Sequence, residues 1–287
     1  MKIYDTFIFF NELDLLDIRL KILDNVVDYF IISEFNITHS GLKKEYIFEK
    51  NRDLFKKYSD KIIYIKHDLE FDDFNDVKFI DNPENFKEEE TNKVLTFFKN
   101  ATHFPKNEKN WCRDFLHREM LRVGYGKCND EDIILMSDID EIPNPKVIEN
   151  LNKFFNKDKI YRLLQNMYYY YFNVFKENNW KGTTLTSYET IKNVCLNDTR
   201  NFKWDSLVDN GGWHFSFMGG KEAVKEKIIS YSHQEINRDD IKDNLDNTVD
   251  NLQDIFGRQG SLKKVEIDNT YPEYIINNKN KLDKFIL

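Results

Sequence analysis

The chain has 287 residues, enough to bury a full core as one large domain or two smaller ones. Hydrophobic residues make up 40% of it and aromatics 15%, the composition of a packed globular protein. The formal net charge of −8 argues against nucleic acid as a partner, because phosphate binding calls for a basic surface.

Cys112, Cys128 and Cys195 are odd in number and lack metal-ligand spacing, so they read as reduced thiols in a cytoplasmic chain. The N-terminal apolar run is too short for a signal peptide, and no membrane span is expected.

In chain order, "KIYDTFIFF" is a short run rich in β-branched and aromatic residues and predicts a buried strand. "ELDLLDIRLKIL" places Leu13, Leu16, Leu20 and Leu23 on one helical face. "YFIISE" and "KIIYI" predict the next two strands. The polar stretch from Asp68 to Lys109, with "DLEFDDFND" and "KEEET", reads as a solvated surface insertion. "NWCRDFLHREMLRVGYG" has helical spacing up to its glycines, and "DIILMS" is a fourth strand. Strands alternating with helices over roughly the first 160 residues predict a largely parallel α/β sheet.

After Pro145, "KVIENLNKFF" predicts an amphipathic helix. "IYRLLQNMYYYYFNVF" predicts one or two aromatic-rich strands, with Tyr168 and Tyr170 on one face and Tyr169 and Tyr171 on the other. "GGWHFSFMGG" is a glycine-bracketed strand, "KEAVKEKIISYS" a helix, and the last forty residues are polar with scattered apolar anchors. There is no repeat or linker, so residues 1–287 are expected to form one domain.

The chemistry concentrates in "SDIDEIPNP", where Asp138, Asp140 and Glu141 follow a fully apolar strand. Like charges this close repel unless neutralised, and a divalent cation, Mn²⁺ or Mg²⁺, is the expected neutraliser. Such a cation takes oxygen ligands and leaves positions for phosphate oxygens at the carboxyl edge of a parallel sheet. The competing reading is that these acids cap the turn at Pro143 and Pro145. His214, between Trp213 and Phe215 in the glycine-bracketed strand, is a candidate third ligand, and His233 competes for that role. Glu235, two residues beyond His233, is a candidate general base, with Glu141, Asp205 and Asp209 as alternatives.

"NELDLLDIRL…VVDYFIISEFNITHSG", "SDIDEIPNP", "GGWHFS" and "SHQE…FGR" together resemble glycosyltransferase family 17, in order and over nearly the whole chain. The resemblance implies a GT-A-type nucleotide-sugar-binding fold, α/β with a mostly parallel central sheet flanked by helices, with 1–160 as a nucleotide-binding half and 161–287 as an acceptor-side half. It also implies an inverting, metal-assisted transfer, with UDP-GlcNAc the expected donor and a glycan the acceptor. Carried over by position, Glu12, Asp14, Arg19, Glu34, Asn36, Thr38 and Gly41 match its first two strand-to-helix segments. Asp138, Asp140 and Glu141 match its Asp-x-Asp-Glu, and Gly212, Trp213 and His214 its Gly-Trp-His. Donor binding is thereby expected of Glu12, Asp14, Arg19, Glu34, Asp138, Gly212 and Trp213. Metal binding is expected of Asp138, Asp140 and His214. A metal-dependent phosphohydrolase and a catalytically silent glycan-binding protein are the alternative readings.

Overall fold

The computed structural model describes residues 1–68, 74, 77–258, 260 and 262–287. Strand β1 (Ile3–Phe9), helix α1 (Leu13–Leu23), β2 (Tyr29–Phe35) and β3 (Ile62–His67) follow one another as the apolar periodicity predicts. Helices α2 (Phe86–Asn100) and α3 (Lys109–Glu119) then lead to β4 (Ile133–Asp138). These four strands form a parallel block in the order β3-β2-β1-β4. Ile133 to Met136 are completely buried because β4 is central in the sheet and covered on both faces.

The sheet then changes character. β5 (Glu141–Pro143), β6 (Tyr161–Tyr169), β7 (Val174–Ser187) and β8 (Ser206–Ser216) extend it in the order β4-β7-β6-β8-β5. β7 runs antiparallel to both β4 and β6, β6 is parallel to β8, and β5 is antiparallel to β8. A two-residue β9 (Lys263–Lys264) pairs with β7. The nine-stranded sheet therefore continues from the first half of the chain into the second. Two helices of the second half matter below, α4 (Leu196–Asn201) and α5 (Gly220–Ser230).

Four local expectations are corrected. The helix begun at Lys109 ends at Glu119 and tightens into a 3₁₀ run to Lys127. A Cβ on Gly124 would lie 2.4 Å from Cγ2 of Ile31, so this backbone packs directly onto the sheet. "KVIENLNKFF" forms only the short helix Pro145–Glu149 and a 3₁₀ turn. The tyrosine run does not alternate throughout, because β6 stops at Tyr169 and Tyr170 takes φ 66°. Tyr168 joins the main core, whereas Tyr169 and Tyr170 join a second cluster with Phe217 and Val224.

The acidic insertion is not wholly solvated. "KEEET" lies in α2, which buries Val94, Leu95 and Phe98 and holds Glu90 against Arg122 at 3.2 Å. Most of "DLEFDDFND" falls outside the described residues. The polar C-terminal segment anchors through Tyr271, Ile275, Leu282 and Phe285, all buried in the main core. All three cysteines are free. Among the described residues no helix is long and apolar enough to cross a membrane.

Candidate active site

β4 delivers Asp138 to the carboxyl edge of the parallel block, and the chain turns there into β5. Arg19 holds the turn. It projects from α1 with no solvent exposure, and Nε and Nη2 clamp the Asp5 carboxylate at 2.7 and 2.6 Å. Nη1 donates to the carbonyls of Asp138, Ile139 and Glu141 at 3.1, 3.0 and 2.9 Å, and Nη2 to Ser137 Oγ at 2.7 Å. A turn between strands leaves carbonyls without ladder partners, and a buried guanidinium satisfies three of them at once. The donor-binding expectation for Arg19 is therefore corrected, because its side chain is spent on the fold and has no exposed atom.

The three carboxylates are neutralised by the protein itself. Asp138 receives Arg118 Nη1 from α3 at 2.8 Å and Arg200 Nη2 from α4 at 3.0 Å, one on each oxygen. Glu141, fully buried, is gripped by both terminal nitrogens of Arg200 at 2.5 Å and accepts Trp180 Nε1 at 2.7 Å. Asp140 accepts Lys227 Nζ from α5 at 2.8 Å. Burial works against each negative charge, but the adjacent cations outweigh it. Arg118 and Arg200 hold Asp138 well below the usual carboxylate range, Lys227 and His214 do the same for Asp140, and Arg200 lowers Glu141. The inference that repulsion in "SDIDE" requires a cation is thus corrected, since arginine and lysine side chains from three other helices relieve it.

β5 pairs with β8 so that Glu141 lies opposite His214, and Phe215 N–H donates to Asp140 O at 2.8 Å. Gly212 makes this pairing possible. It has φ 140°, and a Cβ there would meet Ile142 O at 2.1 Å. Alternation along β8 then sends Trp213 and Phe215 into the core and His214 and Ser216 to the cavity. His214 Nε2 lies 3.4 Å from Asp140 Oδ1, and its Nδ1 is buried without a protein partner.

A divalent cation needs several oxygen or nitrogen donors around one point. Among the described residues no three of His, Cys, Asp and Glu converge on one point. Asp138 does not fit, because both its oxygens are held by arginines, so its expected role as a ligand is corrected. Asp140 Oδ1 and His214 Nε2 do fit as two adjacent ligands, since neighbouring positions on an octahedral ion are about 3 Å apart.

Several other expected residues lie elsewhere. Glu34 is fully buried and accepts Ile47 N–H, Lys44 Nζ and Tyr64 Oη, so it organises the segment after β2 and does not face a donor. Asp14 pairs with Lys284 on the surface. Trp213 is in the core with Nε1 on Thr270 O, and Gly212 serves strand pairing, so neither lines the cavity. Glu235 is 60% exposed, pairs with His233 Nδ1 at 2.6 Å and does not line the cavity. Glu141 is locked by Arg200 with its pKa lowered, which makes it a poor proton acceptor. Asp205 Oδ2 accepts Ile160 N–H, and neither it nor Asp209 lines the cavity. Asn36 and Gly41 also lie off it, while Thr38 and His233 line it.

The cavity has a volume of about 730 Å³ and opens over the carboxyl ends of β1, β2 and β4. Towards β2 its wall is aromatic. Phe35 stacks on His117 with centroids 3.7 Å apart, and His39 and Trp111 stand beside them. Burial keeps His117 neutral, holding its pKa well below the ordinary value. Towards β6 and β7 the wall carries Glu177, Trp180, Lys181 and Trp204. Glu12 lines the middle, with Oε2 accepting Phe10 and Asn11 N–H, and burial raises its pKa. Arg118, Trp180, Arg200 and Lys227 were not singled out from the sequence, where each stands alone among ordinary helix or strand residues.

No curated protein matches the chain. The sequence profile of glycosyltransferase family 17 matches residues 1–76 and 71–287, and a cavity with Asp138, Asp140 and His214 at its centre lies within that match. On a match of this extent, the chain belongs to glycosyltransferase family 17.

Proposed function

We propose that this protein transfers GlcNAc from UDP-GlcNAc to a glycan hydroxyl with inversion at the anomeric carbon, on a GT-A-type fold. The observation that carries the proposal is the cavity at the carboxyl edge of the β3-β2-β1-β4 block, where Asp140 and His214 meet. On this reading the nucleoside occupies the aromatic end by Phe35, His39 and Trp111, and the acceptor enters past Trp180 and Trp204. Asp140 and His214 would hold a divalent cation, manganese or magnesium, and a bound cation would supply positive charge to the donor's diphosphate.

An inverting reaction needs a base on the face of the sugar opposite the leaving group. Of the carboxylates that line the cavity, Asp114, Asp138 and Asp140 are paired with cationic or histidine side chains. Glu12 shares its surroundings with Lys227 and Asp140, on the leaving-group side. Glu177 lies on the exposed part of β7, at the acceptor end, and has no ion pair among the described residues. We assign the base to Glu177, in place of Glu235. The reading is tested by screening nucleotide sugars for slow hydrolysis and for transfer to oligosaccharides, with and without manganese. Turnover of UDP-GlcNAc above other donors supports it. Preference for a different nucleotide sugar overturns the donor assignment.

A further inference from the structure

Lys227 has a position that charge neutralisation alone does not explain. It lies on α5, which is anchored by Val224 and Ile228, both fully buried. Other lysines of this helix face outward, as Lys221 does in pairing with Asp246 and Asp250. Lys227 turns the other way and lines the cavity, its side chain 28% exposed. An ammonium carries three N–H donors, and one of them goes to Asp140 Oδ2 at 2.8 Å. Among the described residues Nζ makes no other hydrogen bond. The amine also lies 5.2 Å from the centroid of the Phe217 ring, which limits the directions it can take.

The two arginines nearby differ in kind. Arg118 is buried with Nη1 on Asp138, and Arg200, its side chain 9% exposed, forks onto Asp138, Glu141 and the Gly182 carbonyl. They fix the loop. Lys227 is a compact point charge with donors to spare, beside the Asp140 carboxylate at the cavity.

We propose that Lys227 binds the diphosphate of the donor and stabilises it as it departs, an assignment that rests on the nucleotide-sugar reading above. When the bond from the anomeric carbon to the phosphate oxygen breaks, its electron pair stays on that oxygen. The acceptor oxygen supplies the pair for the new bond and loses its proton to the base. The diphosphate gains one negative charge, and the free N–H groups of Lys227 donate to it while the proton stays on Nζ. A charge-assisted hydrogen bond of this kind strengthens as charge develops on the acceptor, so it favours the transition state over the bound donor.

The test is calorimetric titration of uridine, UDP and inorganic pyrophosphate in the presence of a chelator, so that no divalent cation contributes. Lys227→Met should weaken UDP and pyrophosphate by roughly 10- to 100-fold, the range for a hydrogen bond to a charged group. Uridine should be unaffected, and Lys227→Arg should recover most of the loss. Equal UDP affinity in wild type and Lys227→Met overturns the proposal and leaves the donor reading standing. Pyrophosphate binding that depends on Lys227, with no UDP binding even when manganese replaces the chelator, overturns the donor reading and leaves the anion site standing. Failure of the wild type to bind either under chelator overturns the Lys227 proposal, and failure to bind UDP with manganese as well overturns the donor reading. A parallel loss for uridine and UDP would show a purely structural lysine. Should Lys227→Met not fold, amine labelling of Lys227 in the wild type gives the answer. Pyrophosphate should slow it and uridine should not, and labelling indifferent to pyrophosphate rejects the site.

Discussion

Replacing Arg19 should separate the support of the site from the site itself. Its guanidinium makes six hydrogen bonds, two to Asp5, three to the carbonyls of Asp138, Ile139 and Glu141, and one to Ser137. Arg19→Lys keeps the charge but brings three donors, so at least three of the six bonds are lost. At about 1 kcal/mol each, that is a cost of roughly 3 kcal/mol. Arg19→Met also leaves the fully buried Asp5 carboxylate without a counterion, a loss of about 3–5 kcal/mol before the orphaned carbonyls are counted. Against a total stability of about 5–15 kcal/mol, the methionine variant should be barely folded and the lysine variant folded but soft. Urea denaturation followed by tryptophan fluorescence and circular dichroism reads both. The lysine variant should also bind UDP more weakly, because the turn carrying Asp140 loses its carbonyl clamp. If Arg19→Met unfolds within 1 kcal/mol of wild type, the clamp is not what holds this turn.

Glu177→Gln should reduce transfer about 10²- to 10⁴-fold while UDP binding stays near wild type, and an unimpaired rate would remove Glu177 as the base. Glu235→Gln should change transfer by less than about twofold, because this carboxylate is exposed and off the cavity; a severe loss would restore it. Asp140→Asn should weaken manganese-dependent UDP binding more than Asp138→Asn does, and titration of the two variants in the reverse order would return Asp138 to the ligand set. The folded-state pKa of Asp138 is depressed, so its stabilising contribution is complete above the unfolded value of about 4 and disappears as pH falls. Asp138→Asn should therefore be less stable at pH 7 and lose less on acidification. An acid-unfolding curve parallel to wild type would contradict that linkage.

The strands and most of the helices were legible because their signal is local. β1, α1, β2, β3 and β4 each carry a periodicity of two or of 3.6, or an unbroken apolar run, within a few residues. The end of α3 and the break at Tyr170 were not legible, since they depend on what each backbone meets. Gly124 packs on Ile31, and Tyr170 leaves the strand so that its hydroxyl reaches Gln253 O at 2.9 Å. Local propensity yields to tertiary contacts of this kind.

The same distinction decides what could be known about the site. A crowd of carboxylates after an apolar strand states that positive charge must be near, and it does not state whose. Arg118 comes from 20 residues upstream of Asp138, Arg200 from 62 downstream, and Lys227 from 87 beyond Asp140. Only the fold brings them together, with α3, α4 and α5 all packed around one turn. Once they are in place, the three acids stop being equivalent. Asp138 and Glu141 are tied to Arg118 and Arg200 and shape the loop, whereas Asp140 faces a partly exposed lysine and a histidine at the cavity. On the proposed reading Asp140, His214 and Lys227 serve the donor and Glu177 the acceptor, while the rest of "SDIDE" is the scaffold that holds Asp140 at the cavity.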